Sequence, residues 1–180
     1  MAKFVPQEEL SLTDQMRIRR EKLTQLQSEG KNPFAQTRFE TNTTSEEIKN
    51  HFDEMEGKPV SLAGRIMTKR GMGKVLFCDL QDAAGRIQLY VKFDEMPEEQ
   101  FNDFRKYDIG DIVGVHGDVF RTQRGEISVR VHEQTLLTKA LLPLPDKFHG
   151  LTNLETRYRQ RYVDLIVNPN VKDTFVKRSN

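Results

Sequence analysis

Near Pro59 the hydrophobic pattern of this chain changes period from 3.6 to 2, and the residues that follow read as five β-runs interrupted by one helix. The runs fall at roughly 58–70, 74–82, 86–92, 111–121 and 126–138. Turns containing glycine separate most of them: Arg70-Gly71-Met72-Gly73, Asp82-Ala83-Ala84-Gly85 and Gln123-Arg124-Gly125. Between the third and fourth runs, Pro97 suits the first position of a helix that continues to Tyr107 and ends by Gly110.

Three strands, a helix and two strands is the order of a five-stranded OB-fold barrel, a fold that commonly binds single-stranded nucleic acid. A small barrel of another kind is the alternative that topology leaves open. Upstream, Ser11 and Asp14 have the spacing of a capping box, and Leu12, Met16, Leu23 and Leu26 follow at helical intervals. Gly30 and Pro33 stop this helix, whose other face carries Arg17, Arg19, Arg20 and Lys22. That basic face is either solvated or in contact with RNA. Thr44 to Glu47 is a second capping box, opening a short helix through Met55 that Gly57 and Pro59 end. The chain is thus expected to be mainly β with flanking helices: a helical extension over 1–57, the barrel over 58–140, and a linker with a helix over 141–180.

Charge does not announce a partner. The formal net charge is +1, with 36% hydrophobic and 31% charged residues, so any nucleic-acid site must come from local placement of charge. The single cysteine, Cys78, excludes a disulfide framework within the chain and fits a reducing cytoplasm. His51, His116, His132 and His149 lack metal-ligand spacing with one another or with Cys78. No signal peptide is visible at the N-terminus, and no apolar run suits a membrane span, so secretion and membrane insertion are not expected.

Strand alternation divides the barrel into two faces. A turn at Ala83-Ala84 pairs Leu80 with Ile87, Cys78 with Leu89 and Leu76 with Val91, all on one apolar face. The same register gathers Phe77, Gln88 and Tyr90 on the other. Alternation in the first and fifth runs adds Arg65, Lys69, Glu126 and Arg130 to it, and Arg70 at the end of the first run is a further candidate. This is a kit for reading unpaired bases. Exposed rings offer stacking platforms, a Gln amide donates and accepts, a carboxylate accepts from a base N–H, and Arg supplies a planar fork. Two bland readings stand beside it: a helix could cover Phe77, and Gln88, Glu126 and Arg65 could form a cross-strand polar ladder.

Several segments resemble one family. Leu141-Leu-Pro-Leu-Pro-Asp-Lys-Phe-His-Gly-Leu151 and Glu155-Thr-Arg-Tyr-Arg-Gln-Arg-Tyr-Val-Asp-Leu-Ile166 are similar to bacterial class II lysyl-tRNA synthetases. So are Ala63-Gly-Arg-Ile-Met-Thr-Lys-Arg70, Met72-Gly-Lys74, Gly85-Arg-Ile-Gln-Leu-Tyr90 and Gly30-Lys-Asn-Pro-Phe34. The resemblance implies an N-terminal, anticodon-binding region with tRNA as its partner. It implies that Phe77 stacks on an anticodon base, that Gln88 and Arg65 read the central uridine, and that Glu126 reads the third base. Lys69 and Arg70 join them as RNA-binding candidates.

The same resemblance implies a parent enzyme that joins lysine to tRNA using ATP and Mg2+, as a homodimer in the cytoplasm. The chain itself is expected to hold no cofactor and to be inactive alone, because the family's ATP- and lysine-binding motifs would lie beyond Asn180. Arg70-Gly-Met-Gly-Lys74 lacks phosphate-loop spacing, and the acidic run from Asp94 to Glu99 has no metal-ligand order. The segment from Leu154 to Ile166 reads as one amphipathic linker helix, with Leu154, Tyr158, Tyr162 and Leu165 or Ile166 on one face. The resemblance adds that this helix packs on a catalytic domain near a dimer interface. Two other readings are a free-standing OB-fold RNA-binding module and the equivalent domain of an aspartyl- or asparaginyl-tRNA synthetase.

Overall fold

A computed structural model describes residues 11–145 and 151–179. The first ten residues, residues 146–150 of the Pro-Leu-Pro-Asp-Lys-Phe-His-Gly segment, and Asn180 lie outside the described residues. The chain divides into two compact units, meeting at Leu141 and Leu142.

The first unit opens with α1 (Leu12–Ser28), capped by Ser11, whose hydroxyl accepts from the Asp14 amide at 3.2 Å. Gly30, at φ 75°, reverses the chain at its end. The Thr44–Glu47 capping box forms as read. The helix it starts, however, breaks at His51 into α2 (Ser45–Asn50) and α3 (Phe52–Met55). Then follow β1 (Pro59–Met72), β2 (Val75–Gln81), β3 (Arg86–Lys92), α4 (Glu98–Lys106), β4 (Ile112–Arg121) and β5 (Ile127–Thr138). Pro97 is the residue before α4 rather than its first: its ψ of 135° is extended, while its carbonyl already accepts from Phe101.

The five strands close into a barrel in the order β1-β2-β3-β5-β4. All neighbours are antiparallel except β3 and β5, which run parallel. The long first strand closes the ring, because its first half pairs with β4 and its second half with β2. Leu80 faces Ile87, Cys78 faces Leu89 and Leu76 faces Val91, as alternation required. These six side chains line the core with Leu62, Ile66, Val113, Val115, Val119, Val129 and Val131, and Phe101 and Phe104 of α4 join the same cluster.

Alternation alone fails at one point of β1. Ile66 faces Leu80, but Thr68, not Met67, faces Asp79. Met67 is therefore the extra residue of a β-bulge, and every side chain beyond it changes face. Lys69 then faces Cys78 on the inner side, and Arg70 faces Phe77 on the outer side. The placement of Lys69 on the outer face is corrected accordingly.

The basic face of α1 is divided: Arg17 and Arg20 are exposed, while Arg19 and Lys22 bond protein groups. Arg19 is buried and donates to the carbonyls of Ile109 and Ala140 at 3.0 and 3.1 Å. Lys22 donates to the Lys106 carbonyl and to Asp108 at 3.0 and 2.6 Å. Beneath them Lys139, 3% exposed, bonds Asp108 at 2.7 Å and Asp111 at 2.9 Å. Asp111 also accepts from the amides of Asp108 and Ala140, at 2.8 Å each. Two carboxylates and two ammonium groups thus tie α1, the loop after α4 and the end of β5 together.

The second unit holds α5 (Leu154–Arg159), α6 (Arg161–Val167) and α7 (Pro169–Ser179). The single linker helix expected over 154–166 is interrupted at Gln160, whose φ of −113° and ψ of 56° are not helical. Asp164, fully buried, accepts from Arg157 at 3.0 Å and Asn168 at 2.6 Å and also from Arg161. Burial pushes its carboxyl upward, but the Asn168 and Arg157 hydrogen bonds and the two guanidinium charges outweigh that and hold it below its usual range.

Candidate nucleic-acid interface

Pairing lays the outer face of the barrel out in rows across the strands. One row runs Arg70, Phe77, Tyr90, Arg130 and Asp118, each facing the next across a strand pair. The neighbouring row runs Thr68, Asp79, Gln88, Ser128 and Phe120. The core lies on the other side of the same strands, so these side chains have no share in it.

The aromatic rings of the two rows touch. Phe77 and Tyr90 have ring centroids 5.4 Å apart, and Tyr90 meets Phe120 nearly edge to face at 5.5 Å. The Arg70 guanidinium lies 6.0 Å from the Phe77 centroid, and that of Arg130 lies 4.9 Å from the Phe120 centroid. Phe77 is half-buried by these neighbours and is not covered into the core by a helix. The face therefore presents flat apolar rings with a cation at either end.

Gln88 sits in the middle and is 8% exposed. The Ser128 hydroxyl donates to its Oε1 at 3.1 Å. That contact holds the oxygen toward Ser128 and leaves the amide nitrogen to donate to a ligand, while the oxygen keeps one acceptor position. Asp79 beside it accepts from the Thr68 hydroxyl at 2.6 Å. The ladder and base-reading interpretations of Gln88 are compatible here: the ladder sets which way the amide points. Glu126 is exposed just before β5, where its amide N–H donates to the Thr122 hydroxyl at 3.0 Å and its carbonyl accepts from the Thr122 amide at 2.9 Å. The alternation of β5 carries it to the Gln88 side, one step beyond Ser128.

Two of the sequence-selected residues are not brought to this cluster. Arg65 faces Gln81 and Ile112, on the far side of the bulge from Arg70, and donates to the Gly110 carbonyl at 2.7 Å. Burial lowers its pKa while the nearby Asp111 charge raises it. Lys69 donates to the carbonyls of Phe104, Arg105 and Tyr107 at 2.8, 2.8 and 2.7 Å, closing the C-terminal end of α4. Burial brings its ammonium down to about 8. Phe120 was passed over in the sequence, although Val119 and Phe120 adjoin in a run where Val113, Val115 and Val119 point inward. Only the register through β5 to β3 puts its ring against Tyr90.

A polar group borders the aromatic row. Glu95 bonds Lys92 at 3.1 Å and lies 3.5 Å from the Arg130 Nε. His132 bonds Asp118 at 2.6 Å, and this partner raises the imidazole pKa against the opposing effect of burial. A raised folded-state pKa means that the pair stabilises fully below the unfolded value near about 6.5 and is lost as pH rises through the higher folded value. His132→Gln should therefore lower the denaturant midpoint at pH 5 and barely change it at pH 9. The pair is partly exposed, so the effect stays under about 1 kcal/mol. A difference that grows with pH would contradict this pairing.

Comparison with known proteins agrees with the geometry. The family of OB-fold nucleic acid binding domains matches residues 60–137, which are the barrel. A lysine–tRNA ligase of Clostridium perfringens is 50% identical over 171 residues, 95% of this chain and 34% of that protein. Those of Syntrophomonas wolfei and Halalkalibacterium halodurans are 52% identical over 171 and 179 residues, covering 95% and 96% of this chain. Over nearly its whole length the chain is similar to part of these lysine–tRNA ligases. It spans about a third of the length of these relatives, 34% and 36% of the latter two. Within the chain the barrel is the part that the OB-fold family covers. No helix among the described residues is long and apolar enough to cross a membrane.

Proposed function

We propose that the outer face of the barrel binds the anticodon loop of a lysine tRNA. The observation that carries this is the row Arg70, Phe77, Tyr90 and Arg130 with Gln88 beside it: stacking surfaces, cations for phosphates and an oriented amide within one surface. Unpaired loop bases can be splayed out onto such a surface, which is how RNA is read by sequence. Phe77 is the stacking platform, Gln88 reads the central base, and Glu126 reads a neighbouring one. Arg70, not the inward-facing Lys69, is the cation at the Phe77 end, and Arg65, facing Gln81 on the same outer side, is kept as a candidate reader of the central base with Gln88. The relatives' names support lysine over aspartate or asparagine, and their length supports a part of a larger ligase over a free-standing module.

The finer reading is that the parent is a class II, homodimeric enzyme of the cytoplasm that uses ATP and Mg2+ to join lysine to tRNA. Its chemistry would reside outside this region. The limits 58–140 are kept as those of the RNA-binding module.

The test is a substitution at Gln88. Uridine presents a carbonyl at the position where cytidine carries an amino group. An amide N–H held by Ser128 meets an acceptor in the first and a donor in the second. Gln88→Ala is expected to weaken a uridine-centred anticodon stem-loop by about 1–2 kcal/mol, the scale of an unpaired buried polar group. The cytidine-centred loop should change by less than a few tenths. Equal losses on both loops would make Gln88 a purely structural rung.

A further inference from the structure

We propose that Phe120 and Arg130 form a second stacking site, which takes a nucleotide adjacent to the one on Phe77. The proposal rests on the anticodon-loop reading above and deepens it: the face holds two splayed bases, one at each end of the aromatic row.

The row is built alike at its two ends. At one, Arg70 lies over Phe77; at the other, Arg130 lies over Phe120, and closer, at 4.9 Å against 6.0 Å. Tyr90 stands between the rings, 5.4 Å from the first and 5.5 Å from the second. A platform for one base needs no third ring. The Phe120 ring also has no packing duty inside the barrel, because Val119, next to it, fills the core and Phe120 points away.

Arg130 makes this end a ligand surface rather than a patch of bare ring. A guanidinium lying on a ring exposes its other plane, and bases stack on guanidinium planes as they do on aromatic rings. The Arg130 side chain is 42% exposed, so part of the guanidinium is open to a ligand. Its charge is met by Glu95, 3.5 Å from Nε, with Glu95 in turn held by Lys92 at 3.1 Å. Asp118, facing Arg130 across β4 and β5, is engaged by His132 at 2.6 Å, which leaves the guanidinium to Glu95 and the ring.

The experiment uses the 180-residue chain and anticodon stem-loops, either intact or abasic at one of the three anticodon positions. Dissociation constants are measured at one salt concentration for wild type, Phe77→Ala, Phe120→Leu and Arg130→Lys. Arg130→Lys keeps the charge near Glu95 and removes the plane. Thermal midpoints check that each variant is folded. On the intact loop, Phe120→Leu and Arg130→Lys should each weaken binding roughly tenfold, the scale of one lost base stack. On one abasic loop both losses should fall below about twofold, as expected once the stacked base is gone. That loop should differ from the one on which the Phe77→Ala loss disappears.

Equal Phe120→Leu losses on every loop would make Phe120 a support for Tyr90 and overturn the second site while the anticodon reading stands. Loss relief on the same abasic position as Phe77→Ala would also overturn it, since both rings would then serve one base. No measurable binding of the intact loop by wild type would overturn the anticodon reading and the second site together.

Discussion

Lys139→Met is expected to destabilise the barrel by about 3–5 kcal/mol, the usual cost of removing one partner from a buried ion pair. The side chains of Lys139, Asp108 and Asp111 are each no more than 2% exposed. Methionine matches the lysine stem in volume, so little of the loss is cavity. What it removes is the ammonium between two carboxylates that water does not reach. Lys22 still serves Asp108, but Asp111 keeps only the amides of Asp108 and Ala140. A domain of ordinary stability has about 5–15 kcal/mol to lose, so the variant should unfold at markedly lower denaturant. Adding Asp111→Asn to Lys139→Met should recover part of the loss, and the cycle gives the coupling. A single-variant loss below about 1 kcal/mol would mean that the knot is wet or dispensable.

The position of that knot shows what was and was not legible. Hydrophobic alternation located five strands, and the Ala83-Ala84 turn gave the β2–β3 register correctly because a two-residue turn leaves one pairing that buries every apolar side chain. A bulge carries no such mark. Met67 is apolar and sits in an alternating run, so nothing local separates the bulged strand from a regular one. The consequence reached the candidate site: Lys69 belongs under α4 and Arg70 beside Phe77. Arg19 and Lys22 were ambiguous for a related reason. Their partners, Ala140, Ile109, Lys106 and Asp108, are distant in sequence, and a basic helix face looks the same whether its acceptors are protein carbonyls or RNA phosphates. The break at Gln160 likewise lacks a glycine or proline to signal it. Phe120 needed the complete strand order, including the parallel β3–β5 pairing, before it could be placed against Tyr90.

The second large effect concerns binding. Phe77→Ala should weaken anticodon stem-loops by about 1–3 kcal/mol whatever base is central, since every base has a face to stack. The ring's neighbours set the comparison: it is in contact with Tyr90 and lies under Arg70. Losing it removes the platform and also releases the Arg70 guanidinium from its seat. Phe77 lies outside the core, so the folded state should survive, with near-native circular dichroism. Phe77→Tyr should retain most of the affinity. A loss confined to one central base would reassign Phe77 from stacking to shape selection, and an unchanged affinity would remove it from the interface.

The central claim is that this face reads an anticodon rather than gripping any single strand. The direct measurement is the affinity of the wild-type chain for a lysine anticodon stem-loop and for the same stem-loop with cytidine at the central position, at one salt concentration so that the phosphate contribution is equal. The Gln88 amide, oriented by Ser128, should favour uridine by roughly tenfold, which corresponds to about 1.4 kcal/mol. Equal affinity for the two loops would contradict the account, leaving the barrel a general single-strand binder.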